Sequence, residues 1–575
     1  MITYRIEVAD AHAHLFRVTL TIGRPAPEQR LSLPVWIPGS YMVREFGRHL
    51  SELRAHQGRR EVVLTQIDKT TWEAACDGRA ALRIVYIVYA FDTSVRAAFL
   101  DVRRGFFNGT GVFLRAEGRE HEPQRLQIGP LPAGWALATA LAPGGGEHEF
   151  VAADYAELVD HPVELGGFWR GRFDACGVPH EFVVAGAWPS FDGERLLADA
   201  RRICEAQIRF WHAGARPPFD RYTFLLNAVD EGYGGLEHRN STALIAARRD
   251  LPRRGAADAG EGYQTLLGLI SHEYFHTWNV KRLQPREFAA IDLARENYTQ
   301  LLWFFEGFTS YYDDLLLRRC GLLDAPHYLR ALAKATTALA GTPGRRVQSV
   351  AQASFDAWVK YYRADENTPN ATVSYYGKGS LVALCLDLTL RERGRGSLDD
   401  VMRGLWQRSG GGPIGEADIE AVLQQVAGRS LRAELDAWVH GTDELPVQPL
   451  LARFGVEVRN EAAPLPAQLG LRLAEAALSG VQVRQVLRGS AAERAGLAAG
   501  DELLAVDGWR IRRLDDARQW LAQGRPFDLL ATRDQRVLSL RVEPPAAPAA
   551  PAFAFVPADK PGRAALARRR AWLGS

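Results

Sequence analysis

The chain is 575 residues long, room for three or four domains at about 150 residues each. Hydrophobic residues make up 47% and charged residues 24%, which excludes a disordered chain. The 70 Lys and Arg nearly cancel the 68 Asp and Glu, for a net charge of +2. That balance gives no electrostatic support to nucleic acid or an acidic membrane as partner. Five cysteines, at 76, 176, 204, 320 and 385, form no CxxC pair, which argues against a disulfide scaffold or a cysteine-held metal. The start, MITYRIEVADAHAHLFRV, alternates like a strand and lacks the basic and apolar regions of a signal peptide. No apolar run reaches the length of a membrane span. The expected setting is the cytoplasm.

Residues 1–164 read as β-rich, with Ile2, Tyr4, Ile6 and Val8 alternating and further short β runs at 15–23 and 82–91. Within them, LPVWIPGSYMVREFGRHL (33–50) sets Pro34, Pro38 and Gly39 among aromatic residues. This domain is expected to be a packing platform or to share directly in substrate binding. From 165 to 448 the pattern becomes α+β. RYTFLLNAVDEGYGGLEHRNST (221–242) looks like a strand, a glycine bend and an extended edge. Apolar residues then recur at helical spacing in 265–283, 298–319 and 380–393. Residues 449–545 form a small β-rich module. EPPAAPAAPAF (543–553) and ALARRRAW (565–572) make 546–575 a Pro/Ala linker and a solvated basic tail.

HEYFH carries the chemistry. On a helix, residues four apart share a face, so His272 and His276 can present nitrogens to one ion. Glu273, beside the first, can hold a metal-bound water. Two imidazoles and a carboxylate between apolar flanks need a compensating partner, which is either zinc or neighbouring core groups. Catalytic zinc takes a third protein ligand and keeps one position for water. Glu306, in the apolar stretch WFFEGF, is the candidate, and Glu296 in LARENYTQ is its rival. In GGLEH, Gly234 and Gly235 permit close backbone approach to a substrate strand. Glu237 follows them, as anchor for a charged amine or as an edge-strand salt bridge.

SHEYFHTWNVKRLQP (271–285), WFFEGF (303–308), GGLEH (234–238) and YYGKG (375–379) resemble the glycyl aminopeptidase family of zinc metallopeptidases. WIPGSY (36–41) and FDTSVR (91–96) also look like that family. The resemblance implies a multidomain α+β chain: a β-rich N-terminal domain, a thermolysin-like, mostly helical catalytic domain and a C-terminal PDZ domain. It implies one zinc per chain on His272, His276 and Glu306, with Glu273 as general base. Tyr376 matches the tyrosine that stabilises the oxyanion, with Tyr375 pointing elsewhere. Where the family's strand motif ends Glu-Asn, this chain has Glu237-His238. The stretch between His276 and Glu306 is longer than in the more distant alanyl-type relatives. LGLRL places Leu469, Gly470 and Leu471 in a PDZ carboxylate loop, and GDELLAVDG (500–508) matches the PDZ strand-turn pattern.

The expected function is a zinc aminopeptidase that removes N-terminal residues, with Gly and Ala preferred by resemblance. Its expected partners are peptide substrates and a peptide or protein C-terminus in the PDZ groove, which otherwise only braces the enzyme. The alternatives are a zinc endopeptidase and a non-catalytic PDZ scaffold.

Overall fold

The computed structural model describes residues 2–213, 216–256, 260–476, 480–522, 524–545 and 551–574. The chain divides into two compact units, Met1–Asn297 with Gly411–Pro413, and Tyr298–Gly410 with Ile414–Ser575. The catalytic stretch expected over 165–448 is therefore shared between them.

In the first unit, the alternation at the start of the chain becomes the strand Ile2–Asp10, with Ile2, Tyr4 and Ile6 buried. It pairs antiparallel with Leu15–Ile22 and parallel with Gln124–Ile128 inside an eight-stranded sheet. Buried phenols find acceptors here, as buried hydroxyls must. Tyr4, Tyr86 and Tyr155 donate to the carbonyls of Leu114, Val112 and Phe113. The core of this sheet takes in Val183, Leu225, Leu236 and Ala243 of the sheet that follows.

That second sheet is built from β1 (Phe168–Ala175), β2 (Val178–Ala185), β3 (Tyr222–Val229), β4 (Tyr233–Glu237) and β5 (Ser241–Ala247), in the order β1-β2-β3-β5-β4. β2, β3 and β5 run parallel. A parallel pair needs a long crossover, and the helix α1 (Gly193–His212) supplies it between β2 and β3. β4 is antiparallel to β5 and forms one edge of the sheet. The helix α2 (Glu261–Phe275) follows.

In the second unit, α3 (Leu302–Arg319) packs on α4 (Tyr375–Glu392) through glycines. A Cβ at Gly307 would lie 2.5 Å from the Gly379 Cα, and one at Gly379 would lie 2.6 Å from the Trp303 carbonyl oxygen. Side chains at the contact normally set helix spacing; here the backbones touch. The PDZ sheet runs from Leu471–Ala476 to Arg536–Val542 around its own core, which includes Val481, Leu503 and Leu529. Asn370 ties it to the helices: its Nδ2 donates to the Val486 carbonyl at 2.9 Å, and the Arg488 N–H donates to its Oδ1 at 2.8 Å.

The C-terminal segment corrects the expectation of a linker and a solvated tail. Residues 546–550 lie outside the described residues, but Ala552–Pro557 pairs antiparallel with Val456–Glu461. The helix α5 (Arg563–Leu573) follows and buries Trp572 completely. Trp572 Nε1 donates to the Tyr311 hydroxyl at 3.0 Å, and Tyr311 donates to Asp387 at 2.6 Å. The Ala-Phe-Ala-Phe alternation and one large apolar anchor outweigh the prolines and arginines around them. The strand Val456–Glu461 accordingly pairs outside the PDZ sheet. The expected boundary at 448/449 falls inside the helix Val447–Arg453.

Trp572→Ala is expected to cost about 3–5 kcal/mol, the usual range for emptying a large aromatic site. Urea denaturation checks this, and a loss below about 1 kcal/mol would contradict the docking of the C-terminal helix.

Candidate metal centre and amine anchor

α2 is apolar almost all round, with Leu266, Leu267, Leu269, Ile270 and Phe275 buried, so the polar groups it carries sit inside protein. α1 clamps it just before the motif: Gln207 Nε2 donates to the Ser271 carbonyl at 2.8 Å and lies 3.0 Å from its hydroxyl. Tyr274 is held by His180, whose Nε2 lies 2.9 Å from the phenol and whose Nδ1 lies 2.8 Å from the Val178 carbonyl. The carbonyl can only accept, so Nδ1 is protonated and Nε2 accepts from Tyr274. Burial pushes the His180 pKa down to about 4, so this histidine is a neutral brace.

His272 and His276 stand with ring centroids 4.6 Å apart and planes at 87°. His276 Nδ1 lies 2.7 Å from the Asn279 carbonyl. It must therefore donate there, which leaves Nε2 as the nitrogen that could face a metal, in the arrangement metal-binding histidines use. This donor set suits zinc. Glu273 and Glu237 are buried too, and the ligand atoms of Glu237, Glu273 and His276 all lie within 4.8 Å of one another. Two carboxylates so close repel unless a cation joins them.

The two tandem glycines serve different needs. Gly235 makes space: a Cβ there would stand 2.1 Å from Glu273 Oε1. Gly234 supplies a conformation, φ +154°. Gly39, at φ +91°, lies against Glu237, and a Cβ on it would be 2.5 Å from both carboxylate oxygens. The WIPGSY loop thus sits on the Glu237 carboxylate, which gives the N-terminal domain a direct place at this site. Glu237 also borders a cavity of about 820 Å³, lined in part by Trp36, Tyr41, Asp160, Lys281 and Phe288. That is the size of a ligand site.

Sequence reasoning missed Asp160 and Lys281. Asp160 Oδ1 meets Lys281 Nζ at 2.6 Å and His238 Nδ1 at 3.3 Å, and Oδ2 accepts the Arg239 N–H at 2.9 Å. Burial opposes the charge of Asp160, but Lys281 and His238 together hold its carboxyl well below the usual range. His238, the departure from the family pattern, thereby pins the β4–β5 turn directly after Glu237. No sequence signal links these residues, because Asp160 lies far from the others along the chain.

In the second unit, Glu306 is buried on α3 among Trp303, Phe304, Phe305 and Phe308. Glu296 lies in a half-buried loop, and among the described residues it joins no metal-ligand cluster. Tyr375 is fully buried and Tyr376 half-buried in the first turn of α4, where Ser374 Oγ accepts the Gly377 N–H at 3.1 Å. Burial first, then the Glu306 charge, raises the Tyr376 phenol well above its ordinary pKa. It therefore remains a hydrogen-bond donor. Burial also raises Tyr361, against a lowering hydrogen bond with Ser374 and with a smaller push from the Glu306 charge, and its ring stacks on Tyr376 at 5.4 Å. Tyr361 was not foreseen, since KYYRA matches no motif.

In the PDZ domain, Leu469 and Leu471 are buried and Gly470 has φ +79°. The Gly470 carbonyl accepts the Leu487 N–H at 2.8 Å. Leu471–Ala476 is an edge strand, and Glu475 reaches from it to accept the Leu514 N–H at 2.9 Å.

Residues 3–167 match the Peptidase M61 N-terminal domain, 265–382 the M61 glycyl aminopeptidase and 482–533 a PDZ domain. The crystal structure of an aminopeptidase N family protein from Idiomarina loihiensis is 35% identical, covers 100% of both chains and has a TM-score of 0.94. The M1 zinc metallopeptidase from Deinococcus radiodurans is 15% identical over 78% of this chain and 94% of its own, with a TM-score of 0.47. No curated protein matches the chain.

Asp160→Asn strands the Lys281 charge in a largely buried place, so it is expected to cost about 3–5 kcal/mol in urea denaturation. Adding Lys281→Met should restore a large part of that loss; a second loss of equal size would contradict the pairing. Because the carboxyl pKa is depressed in the folded chain, its contribution is full above about pH 4 and fades as pH falls further.

Proposed function

The chain belongs to the M61 glycyl aminopeptidase family of zinc metallopeptidases, and from that membership we propose that it removes single residues, preferably Gly or Ala, from the free amino termini of short peptides. The observation that carries this reading is the convergence of the buried Glu237 carboxylate on Glu273 and His276. A protonated amine brought there supplies the positive charge that crowded carboxylates need, by charge-assisted hydrogen bonds.

His272, His276 and Glu306 are proposed to hold one zinc per chain. When bound, zinc lowers the pKa of water and polarises the carbonyl under attack. Glu273 takes the water's proton and returns it to the departing amine. Its carboxylate lies over the edge strand β4, so a substrate strand laid along Gly234 and Gly235 meets it directly. The Tyr376 phenol, kept protonated, donates to the carbonyl oxygen as negative charge develops there. Glu237 holds the amine and fixes which bond is presented.

The PDZ domain is proposed to take the C-terminus of a peptide or protein along Leu471–Ala476, behind the loop of Leu469, Gly470 and Leu471. Among the described residues, no helix is long and apolar enough to cross a membrane. The proposed setting is the cytoplasm, where the five free cysteines stay reduced.

Acetylating the terminus of a good substrate removes the charge that Glu237 meets. The expected loss in kcat/KM is at least about a hundredfold, or roughly 2.7 kcal/mol. Glu237→Ala should erase most of that discrimination by harming the free-amine substrate far more than the blocked one. The two substrates in the two proteins form a cycle, so a general folding defect cannot imitate amine recognition. Equal cleavage of blocked and free peptides by the wild type would favour an endopeptidase.

A further inference from the structure

We propose that Arg96 receives the C-terminal carboxylate of the substrate, so that the enzyme selects dipeptides and tripeptides with a free C-terminus. The proposal rests on the reading of Glu237 as the amine anchor. It adds the length of the substrate and the chemistry of its far end.

Arg96 closes the FDTSVR segment of the N-terminal domain. Val95 and Ala97 on either side of it are buried. Asn108, fully buried, fixes both: its Nδ2 donates to the Val95 carbonyl at 2.8 Å and to the Ala97 carbonyl at 3.3 Å. From this held turn the guanidinium reaches the edge strand β4. Nη2 donates to the Gly235 carbonyl at 3.4 Å, and Nη1 would lie 3.9 Å from a Cβ on Gly234. Nε is buried without an acceptor, and among the described residues Arg96 makes no ion pair. A guanidinium offers five donors in a fork that fits a carboxylate. Here one long hydrogen bond engages a single donor.

The ladder shows which side of β4 Arg96 meets. At the β4–β5 turn the His238 N–H donates to the Ser241 carbonyl at 3.0 Å, so that pair is hydrogen-bonded. Antiparallel pairs alternate along a ladder. Gly235, opposite Leu244, therefore turns its N–H and C=O away from β5, toward the open edge. Arg96 stands at that edge, where a peptide strand would pair with Gly235. Glu273 lies against the same glycine, since a Cβ there would be 2.1 Å from its Oε1. The order along β4 sets the direction: Glu237 comes first, then Gly235 with Glu273, then Gly234. A peptide with its amine on Glu237 and its reacting carbonyl near Glu273 continues toward Gly234 and Arg96. A strand rises about 3.3 Å per residue, which puts Gly235 and Gly234 about 7 and 10 Å along it from Glu237. An extended dipeptide or tripeptide covers about that span.

The test measures kcat/KM of the full-length zinc enzyme for dialanine, trialanine and their C-terminal amides. The wild type should favour each free acid over its amide by at least about tenfold, as a charge-assisted hydrogen bond would. In Arg96→Gln that ratio should fall below about threefold, chiefly through a higher KM for the acids. Arg96→Lys, which keeps a cation, should retain a larger ratio than Arg96→Gln. A wild type without the preference would overturn the proposal, as would a preference that survives Arg96→Gln. An equal loss on acids and amides would also overturn it, because it would mark a purely structural contact with β4. If acids and amides are cut alike while N-acetyl-trialanine is not cut, this inference alone falls. If N-acetyl-trialanine is cut as fast as trialanine, the aminopeptidase reading falls with it.

Discussion

Glu273 can lie across the edge strand only because residue 235 has no side chain; a Cβ there would stand 2.1 Å from its carboxylate. A similar constraint recurs at other glycines. Gly39 lets the N-terminal loop rest on Glu237, and Gly307 and Gly379 let α3 and α4 touch backbone to backbone next to Glu306 and three residues beyond Tyr376. At Gly39 and Gly235 a missing Cβ brings main chain against a candidate site carboxylate, and at Gly307 and Gly379 it brings helix backbone against helix backbone. Glycine carries an entropic cost in a helix or strand, and here it gives a fixed position to a side chain that would otherwise have several rotamers.

Charge follows from that placement. The ligand atoms of Glu237, Glu273 and His276 are gathered within 4.8 Å, so the two carboxylates repel each other unless a cation joins them. Beside them, Asp160 is already satisfied by Lys281, His238 and the Arg239 amide. One carboxylate therefore belongs to the scaffold, whereas the two near α2 are the ones proposed to meet an ammonium group and a metal-bound water. Tyr376, in the second unit, is neutral. Burial and the nearby Glu306 charge both oppose its ionisation, so its phenol stays a hydrogen-bond donor, as its proposed role requires.

What the sequence discloses depends on how local the signal is. His272, Glu273 and His276 are legible because helical spacing alone puts the histidines on one face, and the apolar run around them announces a buried helix. β4 and its glycines are legible for the same reason. Asp160 and Lys281 are not, because 121 residues separate the two partners, and Tyr361 is not, because it lies in no motif. WIPGSY showed an odd composition, but only the fold sets Gly39 against Glu237. The tail was misread because composition dominated: prolines, alanines and arginines suggested solvent, whereas Trp572 and the alternating phenylalanines decide where 552–573 packs. His238 looked like a blemish in a motif and turns out to have its own partner in Asp160.

The proposed single zinc on His272, His276 and Glu306 is the feature on which all activity would depend. Elemental analysis of the protein purified without added metal, alongside Glu306→Gln, tests it most directly. The account predicts about one zinc per wild-type chain and strongly reduced zinc in the variant, with the fold of both retained by circular dichroism. A wild type that carries no zinc and gains no activity when zinc is supplied would contradict it, as would a Glu306→Gln chain that holds zinc as tightly as the wild type.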